Sequence, residues 1–156
     1  MTVAAIDPGK DGAWAVRFAN GDVLAEAREN CSPAELVEHL QSCEVTRVLM
    51  EELEVFSGSG SAQSNKTSAI NWGRLYERLL AANIGVETVR ASRWKSKMGV
   101  SVPKGSTKQK KEAAIVKARE LFPGVSLRRT PACKVDHDGM AEALLILEYG
   151  RRESIL

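Results

Sequence analysis

The chain has few of the residues on which several common chemistries depend. Its three cysteines, Cys31, Cys43 and Cys133, are odd in number, far apart and include no C-x-x-C pair. That argues against a disulfide framework or a zinc site and fits a reducing compartment. Only two histidines occur, His39 and His137, so no Ser/His/Asp or Cys/His arrangement competes as a catalytic centre. No apolar run approaches the ~18 residues of a membrane span. There is no internal repeat and no low-complexity tail. A strand starting at Thr2 leaves no room for a targeting peptide, so the expectation is a cytoplasmic protein, nucleoid-associated or phage-encoded, with no membrane partner.

The 156 residues, 44% hydrophobic and 27% charged, are those of one globular domain, expected to span 1–156. The net charge of +2 conceals an asymmetry. Residues 1–57 hold 11 acidic and 4 basic side chains, whereas residues 90–134 hold 13 basic ones and only Glu112 and Glu120 as acids. Within the basic part, the stretch from Lys104 to Lys111 contains no acid at all. An acidic half beside a lysine-rich one suits a polyanion whose phosphates meet lysines while carboxylates hold a cation.

Periodicity gives a β-β-β-α-β-α-β-α-α order. The opening run ends in Asp7, followed at once by Pro8-Gly9. Asn20-Gly21 signals a two-residue hairpin between strands near 13–18 and 23–25. Ser32 and Pro33 begin a helix as N-cap and first residue. A fourth strand ends at Glu51, and a Gly/Ser-rich stretch, 57–61, reads as a mobile loop. A helix over roughly 66–82 should turn Ile70, Leu75, Leu79 and Leu80 inward. A short strand covers 85–89, and Trp94 opens a brief helical turn. A basic helix spans about 107–121, and a last helix about 137–150, with Met140, Ala143, Leu144 and Leu147 as its core side. Three antiparallel strands followed by β/α units imply a mixed sheet with helices on both faces. Strands one and four can then be neighbours, bringing Asp7, Glu51 and the Asp138/Glu142 pair to one end.

A charge at the end of a buried strand is costly unless something neutralises it. A divalent cation shared among several carboxylates does so, and oxygen-only ligands select magnesium or manganese over zinc. Alternatives stay open at this level. Asp7 can instead cap its own turn. Glu51 competes with Glu52 and Glu54, and strand alternation sends Glu51 and Glu52 to opposite faces. Asp138 has Glu142 four residues on, whereas Asp136 reads as the helix N-cap. His137 reads as a surface residue of the first turn, with contact to metal or phosphate as the lesser reading, and His39 as structural. Any of Lys108, Lys110 and Lys111 can steady a phosphate or simply solvate a helix start.

Four pieces, in order along the whole chain, carry a resemblance: Ile6-Asp7-Pro8-Gly9 with Gly12-Ala13; Leu49-Met50-Glu51-Glu52; Trp94-Lys95; and Asp138-Gly139-Met140-Ala141-Glu142-Ala143-Leu144. Here the chain resembles the RuvC-like Holliday junction resolvases of the ribonuclease H superfamily, in the branch of phages, poxviruses and chloroplasts. Bacterial RuvC proteins space the last acidic pair by three, this chain by four; either keeps both on one helical face. The resemblance implies a ribonuclease H-like α/β fold with a five-stranded sheet in the order 3-2-1-4-5. It implies a homodimer that nicks four-way junction DNA symmetrically, using two Mg2+ (or Mn2+) per site and no small-molecule cofactor. Asp7 would bridge both metals, Glu51 would complete one site, and Asp138 with Glu142 would hold the other. Lys95 becomes the leading phosphate contact. Phe56 would stack on bases at the junction centre, though a core role fits it equally. A ribonuclease H acting on RNA–DNA hybrids and a non-catalytic branched-DNA-binding protein are the rival readings.

Overall fold

The computed structural model describes residues 1–9, 11–29, 31–53 and 61–156. Phe56, Glu54 and most of the Gly/Ser stretch lie outside the described residues.

Five strands form one mixed sheet: β1 (Thr2–Asp7), β2 (Ala13–Arg17), β3 (Val23–Ala27), β4 (Val45–Glu51) and β5 (Gly85–Val89), in the order β3-β2-β1-β4-β5. The pairs β1–β2 and β2–β3 are antiparallel, whereas β1–β4 and β4–β5 are parallel. The order is the one the resemblance implies. The hairpin differs in detail. Phe18 N–H bonds Asp22 C=O, and the chain reverses over Ala19, Asn20 and Gly21, with Gly21 at φ +95°. It is a three-residue loop with glycine in the left-handed position, not a two-residue turn.

Helices α1 (Pro33–Ser42) and α2 (Ala62–Ala81) cover one face of the sheet. Helices α3 (Ala91–Lys97), α4 (Thr107–Leu121) and α5 (Asp138–Arg152) cover the other. Strand alternation feeds both cores: Val3 and Ala5 point toward α5, Ala4 and Ile6 toward α1 and α2. Ser32 caps α1 as expected, in a reciprocal capping box with Glu35. Helix α2 begins at Ala62, earlier than the apolar pattern suggested, because Ser61 caps it. Its first half is exposed, and Ile70 (43%) and Leu80 (48%) face outward; only Leu75 and Leu79 are fully buried. The expected inward stripe is therefore half as wide. Trp94 sits in the middle of α3 rather than at its start.

Helix α5 is buried almost all round, from Gly139 to Gly150, with Glu142 the exception. It is packed between the sheet, α4 and the terminal residues Ile155 and Leu156, so one apolar stripe understated its burial. Among the described residues no helix is long and apolar enough to cross a membrane.

Candidate active site

Parity along the strands decides where the acids point. Asp7 follows Val3 and Ala5 in alternation, and Glu51 follows Leu49; all three apolar residues belong to the core beneath α5. Both carboxylates therefore leave the C-terminal ends of adjacent parallel strands on the face that α5 covers. Asp138 and Glu142 begin α5, one turn apart, at that same end.

The approach of α5 depends on two glycines. A Cβ on Gly12 would lie 2.2 Å from the Asp7 carbonyl oxygen, and one on Gly139 would lie 2.4 Å from the Asp11 carbonyl oxygen. Only hydrogen fits at either place, so Gly12 can fold back on the end of β1 and the start of α5 can lie against Asp11.

Asp7 is 9% exposed, and its Oδ1 accepts from Gly9 N–H at 3.0 Å. It thus caps its own turn and faces the acidic cluster at once. Burial and the nearby charge of Glu142 push its pKa up to about 6, against the Gly9 hydrogen bond. Glu51 is pushed up to about 8 by burial and by Asp7, although Trp94 Nε1 donates to its Oε2 at 2.7 Å. Trp94 is wholly buried, so this bond both satisfies the indole and fixes the carboxylate. Glu52 points elsewhere, accepting from Thr88 and Arg90. The structure thereby separates Glu51 from Glu52.

Two lysines close the cluster. Lys95 Nζ meets Glu142 Oε1 at 2.9 Å, and Lys111 Nζ meets Asp138 Oδ2 at 2.9 Å. Burial opposes the Lys95 ammonium, but Glu142, with Glu51 and Asp7 behind it, holds its pKa above the ordinary range. The Asp138 hydrogen bond does the same for Lys111. Lys110 lines a hollow of about 270 Å³ with Lys95 and Glu142. Lys108 is exposed and is not brought to the cluster by any contact among the described residues.

Asp136 is not the N-cap. It pairs with Arg119, while His137 caps α5, its Nδ1 accepting from Met140 N–H at 3.2 Å. His137 is 5% exposed, so the expectation of a surface residue is corrected: the ring is needed at the helix start. His39 packs on Trp14, as a structural residue should.

With Asp7 disfavoured as an anion by burial and Glu142, and Glu51 by burial and Asp7, hard oxygen donors here suit a hard cation. The donor chemistry fits magnesium or manganese. Among the described residues, no three His, Cys, Asp or Glu side chains already stand at ligand spacing, since Glu142 and Asp138 are turned to their lysines.

Residue-type patterns did not point to Arg28. Its backbone N–H bonds Gly12 C=O at 2.9 Å and its guanidinium donates to Pro8 C=O at 3.1 Å, so it clasps the loop that follows Asp7. The one available hint was rarity, as one of only four basic residues in the first 57.

No sequence-family profile and no curated protein sequence matches the chain. Solved structures do. Thermus thermophilus RuvC in complex with a Holliday junction substrate matches at a TM-score of 0.62 and 17% identity, covering 98% of this chain and 96% of that one. The yeast mitochondrial Holliday junction resolvase matches at 0.57 and 14%, covering 96% and 77%. The fowlpox virus Holliday junction resolvase matches at 0.55 and 14%, covering all of both chains. At these identities the likeness is one of fold, and it extends over bacterial, mitochondrial and poxviral examples alike.

Proposed function

We propose that this protein is a Holliday junction resolvase, a metal-dependent endonuclease that cuts four-way DNA junctions as a homodimer. The observation that carries the reading is the gathering of Asp7, Glu51, Asp138 and Glu142, from three distant parts of the chain, at one end of a RuvC-like sheet. Asp7, Glu51, Asp138 and Glu142 would hold two Mg2+ ions, which when bound would stabilise the attacking and leaving oxygens of a phosphodiester.

The chain's own residues account for the rest. The Gly9 amide and the Trp94 indole hold two of the carboxylates in place before substrate arrives. Lys95 and Lys111 each use one donor on an acid, and an ammonium has three, so both can also take a phosphate oxygen. Lys110 and Lys108 extend that positive surface along α4. Ile70 and Leu80, exposed on α2, offer apolar surface for a second copy, whereas Trp72 and Tyr76 stack on each other and are only half available.

The test is cleavage of a synthetic four-way junction in Mg2+, beside an RNA–DNA hybrid duplex of equal length, with sedimentation of the free protein. Paired nicks in the junction, an intact hybrid and a dimer are expected. Preferential cutting of the hybrid would transfer the protein to the ribonuclease H reading. Tight junction binding without nicking would leave it a branched-DNA-binding protein.

A further inference from the structure

A second hollow opens at the same end of the sheet, on the opposite face from the acids. It measures about 560 Å³ and lies between Pro8, Gly9, Arg28 and Cys31 on one side and the first half of α2 with its cap on the other. Ser64, Thr67, Ser68 and Asn71 recur at i, i+3, i+4 and i+7, one face of the helix. That face carries hydroxyls and an amide where a packed helix would carry aliphatic side chains, and it remains uncovered. Helix α2 holds no acid before Glu77, and the described lining of the hollow includes none.

Arg28 is the cation of the described lining. Half-buried, it has no carboxylate partner among the described residues; its guanidinium makes one hydrogen bond, to Pro8 C=O, of the five it can donate. A desolvated guanidinium facing neutral hydroxyls and an amide is the donor set that receives a phosphodiester backbone, with the cation on the phosphate and the hydroxyls on its flanking oxygens. A small molecule bearing a carboxylate would need far fewer groups along the helix. Gly9, which lines the hollow, also donates its N–H to Asp7 Oδ1.

We propose that this cleft seats the backbone of a DNA strand after it crosses the sheet end from the lysine side, with Arg28 as its phosphate anchor. The proposal rests on the junction-nuclease reading and adds a second face to it. Its ligand is sugar-phosphate backbone, read without base specificity.

Binding of a fluorescent four-way junction in EDTA, measured by anisotropy over a salt series, tests it. Arg28→Ala should weaken binding ~10-fold and flatten the log–log salt slope by about one ion. Arg28→Lys should restore most of the slope and only part of the affinity. Ser68→Glu, at an exposed position of α2, should weaken binding without lowering the melting temperature, which guards against misfolding of the Arg28 variants. Bound junction should also shield the Cys31 thiol from alkylation while Cys43, at the far end of the sheet, reacts as before. Unchanged affinity and slope in Arg28→Ala and Ser68→Glu, with Cys31 still reactive, would overturn the cleft while wild-type nicking left the nuclease intact. A wild type that neither binds nor cuts junctions would remove both.

Discussion

Replacing Asp7 by asparagine should make the protein more stable and less active, and the two effects share a cause. The Asp7 carboxyl moves from an ordinary 3.8 to about 6 on folding, chiefly through burial and then through Glu142. A raised carboxylate pKa means that the folded chain binds more protons than the unfolded one between those values. Stability from this group therefore falls as pH rises from about 4 to 6, and above that the full penalty, about 3 kcal/mol, persists. Asparagine keeps an oxygen for the Gly9 amide and removes the charge. In EDTA at pH 8 the variant should melt roughly 6–12 °C above wild type, at 2–4 °C per kcal/mol for a chain of this size. At pH 4 the two should melt together. Mg2+ should reverse the order at pH 8, because a cation that binds the folded carboxylates stabilises only the wild type. Junction cleavage should be at least ~100-fold slower in the variant, with binding retained. Calorimetry at both pH values, with and without Mg2+, measures all of this. A variant that melts below wild type in EDTA at pH 8, or gains as much at pH 4, would refute the claim that Asp7 is a destabilised anion.

Three further outcomes follow from single contacts. Lys95→Met should slow single-turnover cleavage ~10-fold or more while leaving Mg2+ affinity equal or tighter, since it frees Glu142; weakened Mg2+ binding in titration calorimetry would contradict this. Gly139→Ala forces a Cβ to within 2.4 Å of the Asp11 carbonyl and should cost about 2 kcal/mol together with most of the nicking activity; denaturant melts and junction assays check both. Glu148 accepts from Arg151 and Arg152, and its pKa is held at about 2, by the Arg151 hydrogen bond first. Its contribution is present above pH 4.5 and is lost as pH falls toward 2. Glu148→Gln should therefore cost about 2 kcal/mol at pH 7, allowing for solvent around the arginines, and close to nothing at pH 2, as read from urea melts.

Local signals in the sequence were strong where the physics is local. Continuous apolar runs ending in acids marked β1 and β4, and Ser32-Pro33 marked the start of α1. The four acids could be picked out because charges after apolar runs demand an explanation. What escaped was set by packing at long range. Ile70 and Leu80 look inward on a helical wheel, but the sheet reaches only Leu75 and Leu79. His137 rather than Asp136 caps α5 because Asp136 is drawn to Arg119, 17 positions earlier in the chain. Neither the Lys95–Glu142 bridge nor the Trp94–Glu51 hydrogen bond has any signature in spacing, since each joins segments more than 40 residues apart. Arg28 left only its rarity as a hint, because its partners are backbone groups, the carbonyls of Pro8 and Gly12.

The sheet's alternation then explains why acids and polar cleft do not mix. Side chains at Asp7 and Glu51 share the parity of the α5 core, so negative charge accumulates on that face, where Lys95 and Lys111 limit it. On the other face Glu52 leaves the end of β4 paired with Arg90, while Arg28 fastens the end of β1 without adding an acid. A strand crossing the sheet end would meet Arg28 on one face and the lysines on the other, each phosphate contact releasing counterions. Raising ionic strength should therefore weaken junction binding more steeply than either face alone would require, and the slope lost in Arg28→Ala should add to the slope lost in Lys111→Ala.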